Sequence, residues 1–140
     1  MTEIVLPQHA NVLGTAFGGT VLSWVDICAA VVAQRHCGRV AVTAAIDGVV
    51  FRAPIRVGDV VRLRGRVNAV FRSSLEVEVT VEREDPALSR TQCVGALLTF
   101  VNVDDDGRPM AVPSLSPETP EEQARQTEAL ERRARRVRAR

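Results

Sequence analysis

Asp26 is the single carboxylate in the apolar run from Asn11 to Gly38, and a charged group in such a run needs a reason. A carboxylate there can act as a general base or a nucleophile, or it can cap a neighbouring backbone as a buried structural group. Fifteen residues earlier stands Asn11, whose amide both donates and accepts hydrogen bonds and which equally suits a turn. Between them, Gly18 and Gly19 open a helical segment. Without side chains they leave the first amides of that helix open to an approaching oxygen, or else serve only close packing of helix on sheet. His9 and His36 are far apart in sequence, lack ligand partners at metal spacing, and read as surface or capping residues. No Ser, His and Asp set suggests a serine-esterase triad, no cysteine nucleophile motif stands out, and no Walker-type phosphate loop is present. No metal and no other cofactor is expected.

The elements that must hold these residues follow from hydrophobic periodicity. From Gly18 to Gly38 apolar residues fall on every side of a helix: Val21, Leu22, Trp24, Val25, Ile27, Cys28, Val31 and Val32. Gly38 is a good residue to close it. The rest of the core region alternates with period two, the mark of strands with one buried face. Val61 to Ala69 turns Val61, Leu63, Gly65, Val67 and Ala69 inward and Arg62, Arg64, Arg66 and Asn68 outward. Leu75 to Glu82 turns Leu75, Val77, Val79 and Val81 inward and Glu76, Glu78, Thr80 and Glu82 outward. Phe71 to Ser74 is short enough to make these two an antiparallel hairpin, with an Arg stripe beside a Glu stripe. Strands are also expected over Val40 to Phe51, Thr91 to Val103 and, briefly, Glu3 to Leu6. The run from Gly95 to Val101 is apolar on both faces and suits a central strand. The pattern describes an α+β domain, a five-stranded antiparallel sheet curled around one central helix. A helix apolar all round cannot be covered by its own sheet on every side, so Trp24, Val25, Val31 and Val32 cannot all be covered by one sheet and a second subunit is expected.

A chain of 140 residues with 46% hydrophobic and 25% charged content is an ordinary one-domain composition. The net charge of +1 supplies no global field for nucleic acid or a membrane surface. All 18 basic residues are Arg, which makes Arg the only cation available to pair with phosphate. Cys28, Cys37 and Cys93 form an odd set suited to a reducing, cytoplasmic setting. The first basic residue is Arg35, so the N-terminus does not read as a secretory signal, and Val21 to Ala33 is too short to span a bilayer. Residues 116–140 differ from residues 1–115. They open with a capping signature at Thr119, Pro120 and Glu122, place acids early and arginines late along a helix, and offer only a thin apolar stripe at Leu130, Ala134 and Val137. An exposed or loosely docked terminal helix is expected.

The run Asn11, Gly14, Phe17, Gly18, Gly19, Trp24 and Asp26, followed by FRAPIRVGDVV, RSS and TFVNVDDDGRP, resembles the acyl-CoA thioesterases of the hotdog fold. The likeness covers residues 5–115 and lies with the branch containing bacterial broad-specificity and brain acyl-CoA hydrolases. It implies hydrolysis of an acyl-CoA thioester, a part in lipid metabolism, and a site between two subunits. Attack on a thioester carbonyl needs donors for the developing oxyanion, a base or nucleophile, and a group that holds water or carbonyl. The resemblance assigns these roles to the amides of Gly18 and Gly19, to Asp26 and to Asn11. Gly18 and Asp26 stand eight residues apart, roughly 12 Å along one helix, so one helix cannot easily bring both to a single carbonyl. Antiparallel helices across a twofold axis can, with Asn11 and Gly18 of one copy facing Asp26 of the other. Ala30, one turn beyond Asp26, brings no hydroxyl, leaving Asp26 and Asn11 to carry the chemistry.

Arg72, Ser73 and Ser74 in the hairpin connection are the candidates for the phosphates and pantetheine of CoA, beside Phe71 where relatives often carry Gly. A homodimer is the minimal expectation, with tetramers or hexamers implied by the resemblance. The other reading is a non-catalytic acyl-CoA-binding module serving as sensor or assembly partner. The intact pair of Asn11 and Asp26 favours the enzyme. A hydratase of the same fold would require a histidine in the site, and the helix has none before His36.

Overall fold

The computed structural model describes residues 1–139. Strands β1 (Thr2–Ile4), β2 (Ala41–Phe51), β3 (Val60–Val70), β4 (Ser74–Glu84) and β5 (Arg90–Asn102) form one antiparallel sheet in the order β1-β3-β4-β5-β2. Helix α1 (Gly18–Cys37) packs in the curl of the sheet, and α2 (Pro120–Arg138) crosses its outer face. Each expected strand and both expected helices are present, within a residue or two at their ends.

The core follows from the two periodicities meeting. Val21, Trp24, Val25, Cys28 and Ala29 recur every three or four residues and are buried, as are Leu63, Leu75, Val77, Val79, Val81, Leu98 and Phe100 on the facing strands. Gly65 lets the helix come close. A Cβ built there would stand 2.8 Å from Val32 Cγ2 and 3.4 Å from Cys28 Sγ. The helix ends at Gly38, whose φ of +72° is left-handed and whose N–H donates to Gln34 O at 2.8 Å. Of the four helix residues expected not to be all covered by one sheet, Trp24 and Val25 are covered within the chain and Val31 is not. The sheet curls far enough to enclose the first two, and the side left open carries Ile27 (51% exposed) and Val31 (42%). Beside that side runs β2, an edge strand with Val42, Ile46 and Val50 exposed.

The outer face departs from the sequence reading. Arg62 lies opposite Glu82 and Arg66 opposite Glu78, and Arg66 Nη2 donates to Glu78 Oε1 at 3.0 Å, as the paired stripes require. Glu76 and Asn68, expected to face solvent, are each only 1% exposed. Asn68 stands at a register shift between Val67 and Ala69, and α2 with the segment before it lies over the same ground and covers it. Arg132 Nη2 donates to Glu76 Oε1 at 2.6 Å and Arg136 Nη1 to Asp47 Oδ2 at 2.9 Å, while Ala129 is fully buried. The terminal helix is therefore docked rather than loose. The expected stripe of Leu130, Ala134 and Val137 instead faces solvent, and α2 is held by buried Ala129 and by arginines that reach down to carboxylates on the sheet. At its start the Thr119 hydroxyl accepts from Glu122 N at 3.1 Å, as the capping signature implied.

Candidate active site

Asp26 lies two turns along α1, half-buried, on the side that the sheet does not enclose. Its Oδ1 accepts a hydrogen bond from Thr43 Oγ1 of β2 at 2.8 Å. The carboxylate therefore has one fixed oxygen and one left for other work. Thr43 was absent from the sequence reading. The hydroxyl sought at position 30 comes instead from the neighbouring edge strand, and the clue was a lone Thr within Ala41 to Ile46, an otherwise apolar strand segment.

The N-terminus of α1 provides the second component. Phe17 precedes the helix in extended conformation with no side-chain cap, and Thr20 N and Val21 N both turn back to Phe17 O. Among the described residues nothing accepts from the amides of Gly18 and Gly19, which remain available to an anion. A Cβ at Gly18 would lie 3.8 Å from Phe51 Cζ, placing Phe51 against this helix end. Here a cleft of about 330 Å³ opens, lined by Thr15, Ala16, Val21 and the stretch from Phe51 to Ile55. Asp26 is not among its walls.

Asn11 is shaped by its own loop. Its Oδ1 accepts from Leu13 N at 2.9 Å and Thr15 N at 3.2 Å, and its Nδ2 donates to Thr15 Oγ1 at 2.8 Å. The turn reading of Asn11 thus describes its bonds within the chain, with one Nδ2 hydrogen uncommitted. The loop carries Val12 and Leu13 almost wholly exposed, with Phe17 following. Within one chain Asn11 is held by Leu13 and Thr15 in the loop before α1, Asp26 pairs with Thr43, and no hydrogen bond links Asn11 to Asp26.

Arg72 and Ser73 lie in the tight connection between β3 and β4 and Ser74 opens β4, the turn being closed by Phe71 N donating to Ser74 O at 2.8 Å. The histidines are structural: His9 Nδ1 accepts from Leu6 N at 3.0 Å and its ring meets Trp24 edge-on at 5.0 Å, and His36 Nε2 donates to Pro113 O at 2.7 Å. Burial pushes the thiols of Cys28, Cys37 and Cys93 above the ordinary cysteine range, which keeps them protonated and poor nucleophiles. No helix is long and apolar enough to cross a membrane among the described residues.

Comparison with known proteins adds to this geometry. The chain is 38% identical over 133 residues to acyl-coenzyme A thioesterase 11 of Mus musculus, covering 94% of this chain and 22% of that protein. It is 41% identical over 122 residues to the uncharacterized acyl-CoA thioester hydrolase YkhA of Bacillus subtilis, covering 86% and 71%. It thus spans only 22% and 34% of the first two mammalian relatives, the second a cytosolic acyl coenzyme A thioester hydrolase of Mus musculus. Among solved structures, an apo-hexameric acyl-CoA thioesterase superposes with a TM-score of 0.94 at 39% identity, over 99% of this chain and 90% of that one. An acyl-CoA hydrolase of Staphylococcus aureus, in complex with butyryl coenzyme A and coenzyme A, gives 0.90 at 35%, over 99% and 88%. That hydrolase has also been solved with an Asn, an Asp and a Thr each replaced by Ala. The Asp follows the Asn by fifteen residues and the Thr follows the Asp by seventeen, the order and spacing of Asn11, Asp26 and Thr43. The family model for the thioesterase superfamily matches residues 13–89. A five-stranded antiparallel sheet around α1, full-length superposition on solved acyl-CoA thioesterases and this match together make the chain a member of the thioesterase superfamily.

Proposed function

We propose that this protein hydrolyses acyl-CoA thioesters to free acid and CoA at a site completed by a second copy of the chain. The reading is carried by one observation: a carboxylate, Asp26, fixed by the Thr43 hydroxyl at 2.8 Å on an uncovered apolar face. The equal spacing of the replaced Asn, Asp and Thr in the S. aureus hydrolase supports it.

In this mechanism the thioester carbonyl enters at the start of α1, where the amides of Gly18 and Gly19 receive its developing negative charge. Asp26 of the second copy takes a proton from water, or attacks the carbonyl itself, and Thr43 holds its other oxygen in place. Where Asp26 acts as base, the water oxygen adds to the carbonyl carbon, the C–S bond breaks and the proton held by Asp26 passes to the departing CoA sulfur; where it attacks, CoA thiolate leaves an acyl–Asp26 anhydride that water then cleaves, one water hydrogen going to the released acid and the other to the thiolate as the carboxylate is restored. Asn11, whose carbonyl oxygen is committed to its loop, offers its remaining N–H to water or carbonyl. Arg72, Ser73 and Ser74 are assigned to the CoA end.

The second copy is supported by Ile27 and Val31 on α1, Val42, Ile46 and Val50 on the open β2 edge, and Val12 and Leu13 at the tip of the Asn11 loop, all exposed in one chain. A homodimer is the smallest assembly that covers them, and relatives described as hexameric support further association. A reducing, cytoplasmic setting suits three unpaired thiols. The test is thiol release from a panel of acyl-CoAs of increasing chain length. Wild-type turnover that drops a hundredfold or so in Asp26→Asn supports the reading. Binding of CoA without thiol release from any member would identify a non-catalytic module.

A further inference from the structure

The connection between β3 and β4 is anchored by its backbone and left open by its side chains. Asn102 N donates to Ser73 O at 2.9 Å and Val112 N to Arg72 O at 3.0 Å, in addition to the bond that closes the turn. Among the described residues no side-chain hydrogen bond or ion pair engages Arg72, Ser73 or Ser74. The turn is stiff, yet its cation and hydroxyls are unspent.

Helix α2 adds to it. The Arg133 guanidinium carbon lies 4.7 Å from the centre of the Phe71 ring, a cation–π contact. Its neighbours Arg132 and Arg136 are neutralised by Glu76 and Asp47, whereas Arg133 meets no carboxylate among the described residues. Phe71 thus has one uncompensated cation after it in the chain, Arg72, and a second stacked on its ring. Two unpaired guanidinium groups at a rigid turn with hydroxyls suit a polyanionic phosphate group. The location agrees. Ser74 pairs with Val101 and Val101 with Val42, in the row next to Thr43, so the turn lies about two strand spacings, ~10 Å, across the sheet from the strand that holds Asp26.

We propose that Arg133 is a CoA-binding residue, acting with Arg72 on the phosphates at the nucleotide end of the substrate, and that its stacking on Phe71 fixes the turn that presents Arg72. The C-terminal helix is on this basis part of the substrate site. The inference rests on the thioesterase reading for the identity of the ligand, but its test does not depend on turnover.

The full-length protein is titrated calorimetrically with CoA, in wild-type form and as Arg133→Ala and Arg133→Lys. Loss of one charge-assisted contact should weaken CoA binding about tenfold in Arg133→Ala, with Arg133→Lys between the two. In steady-state kinetics KM for an acyl-CoA should rise by the same factor with kcat held. KM for the matching acyl-pantetheine, which lacks the nucleotide phosphates, should stay at its wild-type value. A general structural defect would move both substrates together, and that outcome overturns the proposal. So does Arg133→Ala that binds CoA as tightly as wild type, or wild type that binds no CoA. Wild type that binds CoA in an Arg133-dependent manner but releases no thiol removes the hydrolase reading and upholds this one.

Discussion

Arg132→Ala should destabilise the protein far more than an ordinary surface arginine would. Glu76 is 1% exposed, and its carboxylate is held by Arg132 Nη2 at 2.6 Å and by Asn68 Nδ2 at 3.2 Å. Asn68 is itself buried, and its Oδ1 has no donor, so it cannot replace a charge. Removing one partner of a buried ion pair costs roughly 3–5 kcal/mol, because the other charge remains where water cannot solvate it. Arg132 keeps 26% of its side chain exposed, so its removal admits some water and the lower end, about 3 kcal/mol, applies. For a chain of this size about 1 kcal/mol moves Tm by roughly 3 °C, giving a fall near 10 °C in a thermal melt. Adding Glu76→Gln to Arg132→Ala removes the stranded charge and should recover more than half of the loss. A double-mutant cycle then reads the coupling directly. If Arg132→Ala melts within about 1 °C of wild type, well inside the range of neutral surface changes, α2 is not clamped to the sheet as described.

Two further substitutions probe the site and its support. Thr43→Val keeps shape but removes the hydroxyl that holds Asp26, and a hydrogen bond to a charged group is worth about 1.5–3 kcal/mol. Turnover should fall roughly ten- to hundredfold, with Thr43→Ser restoring most of it; equal activity of the Val variant would remove Thr43 from the mechanism. Gly65→Ala places a methyl 2.8 Å from Val32 Cγ2, and overpacking of this kind costs about 1–3 kcal/mol. A lowered Tm that Val32→Ala then relieves is the expected signature, and an unchanged Tm would show that α1 shifts freely.

The strands, the central helix and its glycine stop were legible because burial on one face leaves a period in the sequence, and Gly38 needs its left-handed backbone. Cover over the outer face was not. Glu76 and Asn68 occupy positions that alternation assigns to solvent, and only the docked α2 makes them interior. Nothing local distinguishes Arg132 and Arg136, which reach carboxylates far away in the chain, from arginines that merely face water. The Asn11, glycine and Asp26 set is proposed from its motif, whereas Thr43 depends on a bond between helix and edge strand that no short window contains. Coverage of Trp24 and Val25 by their own sheet likewise depends on its curvature, which period alone does not give.

Asn11 lies in the loop before α1, Gly18 at the start of that helix and Asp26 two turns along it, so whether the site is shared between copies decides the mechanism. The most direct measurement mixes inactive Asn11→Ala protomers with inactive Asp26→Asn protomers, with exchange verified by a mass or fluorescence label. In random mixed dimers one of the two sites carries both wild-type groups, so about a quarter of all sites should regain activity. Recovery near that level supports a site built by two copies. Verified exchange with no return of activity would place both groups in one chain and contradict the shared site.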